Sequence, residues 1–219
     1  MDIIMKNLLR KEITLSMHPT APMFLALSAM LLIPSYPYLI IFFYTCLALF
    51  FMCVTGRENG DVTYTLTLPV QKKDIVKARF AFAVLLELLQ IILAVPIMLL
   101  RQGLNIQAND AGMDANTALS GFAFALLGLF NYAFFTGYYR NIEKIGRPFI
   151  VSCGVIFVYI GLVETCTHTV PFFKNCLDTP DPLFMPQKLL ILAAGVVVFA
   201  VLTALAFSKS KKSFEKLDL

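Results

Sequence analysis

The sequence predicts an all-α integral membrane protein with six transmembrane helices, and three observations carry that reading. Hydrophobic residues make up 58% of the 219-residue chain and charged residues only 15%, against the roughly 25% charged content of a soluble domain. The apolar residues gather into runs close to the ~20 residues that a helix needs to cross the ~30 Å hydrocarbon core. A six-span assignment also places fifteen of the 18 Lys and Arg residues on one side, leaving Arg101, Lys174 and Lys188 on the other. Lysine and arginine in short loops mark the cytoplasmic face. The whole chain, 1–219, therefore reads as one transmembrane domain with both termini cytoplasmic and no room for a sizeable soluble domain.

Residues 1–16 form the first element, an interfacial amphipathic helix. At 100° per residue Met1, Ile4, Met5, Leu8, Leu9, Ile13 and Leu15 fall on one half of the wheel, and Asp2, Lys6, Asn7, Arg10, Lys11 and Thr14 on the other. Ile3 and Glu12 are the exceptions. Such a helix lies in the headgroup plane with its basic face toward anionic lipid. No small-residue cleavage site follows it, so the segment reads as retained rather than as a signal peptide.

The spans follow at about 17–34, 36–55, 80–100, 117–138, 149–165 and 189–207. The first is short for the bilayer and has Pro19 and Pro22 crowding its start. Gly56 suits the end of the second. The insert 56–79 is long and polar, and connections of that length are commonly functional. It carries Arg57, Lys72, Lys73, Lys77 and Arg79, which place it in the cytoplasm. Within it Glu58 to Leu66 reads as a short helix offering Glu58, Asp61, Thr63 and Tyr64 as contact groups, and Pro69 as the start of a second helix running into the third span.

The polar stretch from Arg101 to Asn116 reads as an exposed connection. The fourth span carries Gly121 with Ala125 and Ala133 with Gly137, small residues four apart that let helix backbones approach closely. Residues 139–148 form a basic cytoplasmic turn. The Pro- and Phe-rich segment 166–188 is an extracytoplasmic loop dipping into the outer interface, and a basic tail follows the sixth span.

Two intramembrane polar residues stand out, Glu87 in the third span and Asn131 in the fourth. An ionisable group there is functional by default. Glu87 reads either as a buried carboxyl needing partners or as an interfacial one near Lys77 and Arg79. Glu164 reads as interfacial. Cys166 and Cys176 share the outer loop as either a disulfide or two free thiols. No G-x-x-x-x-G-K-[ST] phosphate loop and no H-E-x-x-H pair occurs, so neither nucleotide hydrolysis nor zinc chemistry is expected of this chain. The basic residues sit at membrane boundaries, which argues for lipid and against nucleic acid.

The segment Tyr64-Thr-Leu-Thr-Leu-Pro-Val-Gln-Lys-Lys-Asp-Ile-Val-Lys-Ala-Arg79 resembles the "SLPVSRKDIVLAKY" pattern after the second span in small permeases of type 2 ABC exporters. The ending Ser210-Lys-Lys-Ser-Phe-Glu-Lys-Leu-Asp218 is similar to theirs too. Gln71 stands where that pattern has a helix-capping Ser, and Lys72 where it often has Arg, which weakens the cap but leaves Lys-Asp-Ile-Val. The resemblance implies a bacterial plasma-membrane permease in which 56–79 holds a coupling helix docked on a separate ATPase. Two permease copies, identical or closely paralogous, would pair with two ATPases that bind the ATP and Mg; no cofactor belongs to this chain. The docking residues it implies are Glu58, Asp61, Thr63, Tyr64, Leu66, Pro69, Lys72 and Asp74. It also implies short outer helices between spans five and six.

The expected function is export of a hydrophobic or amphipathic peptide, lipid or drug. The competing reading is a non-transporting scaffold or sensor that docks a cytoplasmic regulator. An intramembrane enzyme has least support, for want of a paired acid, base or metal constellation.

Overall fold

A computed structural model describes residues 3–217. Met1, Asp2, Asp218 and Leu219, which enter the wheel and tail readings, lie outside the described residues. The chain is helical throughout and has no strand among the described residues. The helices are α1 Ile3–Lys11, α2 Ala21–Ala26, α3 Leu39–Glu58, α4 Asp61–Leu66, α5 Lys72–Gly103, α6 Thr117–Tyr138, α7 Gly146–Thr169 and α8 Met185–Glu215.

Five of them, α3 and α5 to α8, are long and apolar enough to cross a membrane. The bent pair Ile4–Ser16 and Ala21–Leu32, which turns through 90°, makes a sixth if counted as one broken span. The first span is thus not a continuous helix from Met17. It becomes α-helical only at Ala21, with Pro22 in the first turn, and passes into a 3₁₀ helix over Leu27–Leu32. The larger 3₁₀ rise stretches this short segment to roughly 21 Å.

Helix α6 is the centre of the bundle, burying Leu126, Phe130, Phe134 and Phe135 completely. Of the small residues expected to let backbones approach, Gly121 is used against α8, whereas Gly137 meets Pro148 of α7, where an added Cβ would stand 2.9 Å from the Pro148 Cβ. A Cβ on Gly195 would stand 2.0 Å from the carbonyl oxygen of Gly121, and one on Gly128 2.8 Å from the Cα of Phe199. Only hydrogen at these positions lets the two backbones meet. The outer faces of α7 and α8 stay apolar and open, with Ile150 72% and Leu190 69% exposed.

The insert 56–79 is two helices joined by a corner, with boundaries that differ from the sequence reading. Glu58 closes α3 instead of opening the short helix, because Gly60 turns the chain at φ +60. Pro69 does not start a helix. It sits in the corner between α4 and α5, and α5 begins at Lys72 after an extended Gln71 whose side chain makes no cap. The corner consumes residues 67–71 because α4 must be turned into a helix that crosses the bundle.

The far end of the bundle is more structured than the exposed connection expected between Arg101 and Asn116. Arg101 is buried, pairs with Asp114 at 3.1 Å and donates to the Leu31 carbonyl at 3.2 Å. Asn109 donates to the Tyr36 carbonyl at 2.9 Å. Asn116 caps α6 through the Leu119 amide at 3.1 Å and donates to the Leu177 carbonyl at 2.7 Å. Asp178 accepts the Asp114 amide at 2.7 Å; burial raises its carboxyl above the usual range, offset in part by that bond. Part of the loop expected over 166–188 is helical, since α7 continues to Thr169 and a π turn covers Phe173–Leu177.

Candidate functional site

Four charges that the sequence scatters over three segments meet inside the end of the bundle that carries α4. Arg79, in the second turn of α5, is 1% exposed. Its Nε lies 2.7 Å from Glu12 Oε2, and its terminal nitrogen pairs with Asp61 Oδ2. Lys11 reaches both acids, 2.8 Å from Glu12 and 3.2 Å from Asp61. Ser16 donates to Asp61 Oδ2 at 2.8 Å, and Arg79 also donates to the Tyr138 hydroxyl at 3.5 Å. Two cations and two anions balance, as a buried cluster must. Burial alone would raise the Asp61 carboxyl, but Arg79 and then Lys11 and Ser16 hold it below its usual value.

Local structure explains why these groups meet. On α5 the inward stripe runs Ile75, Arg79, Ala83, Glu87 and Gln90, so the helical repeat that buries Ala83 also buries Arg79. The left-handed Gly60 aims the first turn of α4 inward, and Gly56 leaves room for it, since a Cβ there would be 3.1 Å from the Asp61 carboxylate. The π turn Glu12–Ser16 carries Glu12 and Ser16 to the same point. The cluster therefore clamps the N-terminal helix, α4 and α5 together.

Of the residues expected to meet a partner, Asp61 is corrected: it is 1% exposed and committed to Arg79, so it faces into the protein. Thr63 and Tyr64 face out, Tyr64 with 58% of its surface exposed. Glu58 and Pro69 are exposed beside them, and Leu66 is half-buried. Lys72 and Asp74 are half-buried in the first turn of α5, where Lys72 donates to the Leu217 carbonyl. Arg57 donates to the Glu143 carbonyl at 3.1 Å, joining this patch to the α6–α7 turn.

The two intramembrane polar residues come together. Asn131 donates from one amide nitrogen to Glu87 Oε2 at 3.0 Å and to Thr203 at 3.1 Å, linking α5, α6 and α8. Of the two readings of Glu87, the buried one holds; neither Lys77 nor Arg79 reaches it. One turn along, Gln90 donates to Ser28 at 2.9 Å and ties α5 to the 3₁₀ segment. Glu164 is half-buried, accepting the Met113 amide at 3.0 Å. Cys166 and Cys176 are free thiols, both half-buried. No group of His, Cys, Asp and Glu that could hold a metal occurs among the described residues.

Sequence reasoning missed Glu12 and Arg79. The signal for Glu12 was its place on the apolar half of the wheel, and for Arg79 its position two turns before Glu87 on one face of a helix. Arg79 enters the sequence reading only as a cytoplasmic-side charge and as a neighbour in one reading of Glu87, and Glu12 only as an exception on the wheel.

A family model described as ABC-2 family transporter protein matches residues 7–215. No curated protein and no solved structure matches the chain.

Proposed function

Because the chain belongs to the ABC-2 family of transporter membrane proteins, and is therefore the membrane subunit of such a transporter, we propose that α4 is the element through which a separate ATPase drives it. Permease domains of this family typically serve as non-catalytic partners of an ATPase. The fold is multi-pass, and the excess of basic residues at the α4 end supports placing that end, with both termini, in the cytoplasm. ATP binding would close the ATPase dimer, and two permease copies would open a path outward for a hydrophobic or amphipathic substrate. Phosphoryl transfer, with its phosphate loop and metal, stays on the partner.

The observation that carries this reading is the division of α4 into two faces. Its outer face offers Thr63 and Tyr64, flanked by Glu58 and Pro69. Its inner face is fixed through Asp61 to Arg79, so a displacement of α4 is passed to a membrane-crossing helix instead of being lost in a loop. The docking set is accordingly Glu58, Thr63, Tyr64, Leu66 and Pro69, with Lys72 and Asp74 at its margin and Asp61 as the internal link.

The test compares two variants in co-purification and in substrate-stimulated ATP hydrolysis. Tyr64→Ala together with Thr63→Ala should weaken ATPase retention while membrane insertion is unchanged. Asp61→Asn should retain the ATPase but uncouple its hydrolysis from transport. Wild-type retention and wild-type coupling in both variants would remove α4 from the mechanism. Normal retention with no transport by the wild-type pair would support a scaffold instead.

A further inference from the structure

A groove of about 870 Å³ runs between α5 and α8 on the outside of the bundle. On α5 its wall is the row Lys73, Lys77, Ala81 and Leu85, each four residues from the last. On α8 the facing row is Lys211, Phe207, Thr203 and Phe199, with the same spacing in the opposite chain direction. Rows of residues four apart form the ridges of a helix, so one ridge of α5 and one of α8 wall the groove. Its three lysines all lie at the α4 end and its apolar walls follow.

Each row spans twelve residue steps, about 18 Å of helix. That is close to the ~15 Å of one leaflet's hydrocarbon, half of the ~30 Å core. Among the described residues Asp74 is the one carboxylate on the lining, against three lysines, leaving two positive charges. Among the described residues none of these lysines forms an ion pair. Cationic head, apolar body and leaflet-deep length are the complement of one kind of molecule.

We propose that this groove binds an anionic glycerophospholipid of the surrounding leaflet, with its phosphate among Lys73, Lys77 and Lys211 and an acyl chain along Ala81, Leu85, Phe207 and Phe199. The groove shares Asp74 with the margin of the docking set but does not rest on the transport reading. A free phosphate would make no use of the apolar rows. A second copy of this chain would have to bring its own anionic group to the lysines.

The full-length chain, extracted with its natural partners, is exposed to equal amounts of phosphatidylglycerol and phosphatidylcholine, and retained lipid is read by native mass spectrometry. Each lysine near an anionic headgroup contributes about fivefold, so two net charges give a preference for phosphatidylglycerol of roughly 25-fold. K73A/K77A/K211A should abolish that preference, whereas K209A/K212A/K216A, which removes three charges from the same end but outside the groove, should keep it. Ala81→Trp, with all the lysines intact, should lower retention of both lipids. Equal loss in the two lysine variants would mean diffuse attraction and overturn the site. So would a wild-type chain without preference, undiminished retention in Ala81→Trp, or cross-linking between copies through a cysteine placed at Ala204.

Discussion

Replacing Arg79 by Met removes one cation from a cluster buried away from solvent. Glu12, Asp61 and Lys11 would remain with a net charge of −1 in a site where Glu12 and Asp61 are 0% and 1% exposed. Removing one partner of a buried ion pair costs about 3–5 kcal/mol. For a chain of this size each kcal/mol shifts the unfolding midpoint by about 2–4 °C, so a fall of roughly 6–20 °C is expected. The informative comparison is the double variant. Glu12→Gln alone leaves an excess positive charge, but Glu12→Gln with Arg79→Met leaves Lys11 balanced against Asp61. The double variant should therefore be more stable than Arg79→Met alone, with a coupling of about 0.5–3 kcal/mol. The assay is thermal unfolding of the detergent-solubilised chain, with reversible unfolding in mixed micelles supplying the free energies. Strict additivity of the two single effects would refute the cluster as an electrostatic unit.

Other parts of the fold make separate predictions. Gly195→Ala should be severely destabilising, because its Cβ would meet the Gly121 carbonyl at 2.0 Å, while Gly154→Ala, with open space around it, should be close to silent; thermal melts of the two variants decide this. Glu87→Gln should be tolerated better than Glu87→Leu, which leaves Asn131 without one acceptor at a cost of about 1–3 kcal/mol. Expression and melting of the pair report it, and wild-type behaviour of Glu87→Leu would make the contact incidental. Cys166 and Cys176 should react with a membrane-impermeant thiol reagent in intact cells without prior reduction. Protection in cells with reaction after lysis would invert the proposed topology.

How much of this was legible in the sequence follows from how far apart the determinants are. Membrane class, the long crossings and the packing face of α6 depend on local hydropathy and on small residues a turn apart, and the sequence displays both. The helix in the insert was legible as well, but its start was displaced by three residues because a left-handed glycine sets it. The clamp was not legible. Arg79 and Glu12 are 67 positions apart, and counting charges by side of the membrane treats every lysine and arginine as solvated. Arg101 shows the same failure at the other end, where a residue counted as outside loop is buried against Asp114 and Leu31. A helical wheel extended back from Glu87 would have placed Arg79 inside, though not named its partners.

The two buried arginines also fix what α5 can do. They are separated by 22 positions, about 33 Å along a helix, slightly more than the ~30 Å depth of the hydrocarbon core. Each is fastened to parts of the chain outside α5: Arg79 to the N-terminal segment and α4, Arg101 to Asp114 and the end of the 3₁₀ segment. Sliding the helix along its axis would tear both fastenings at once. Bending it would tear neither, and one turn lacks a backbone bond, at Pro96. The helix is built as a pinned beam with one soft joint near its far support, so that what is fed in at one membrane face emerges as an angle and not as a stroke.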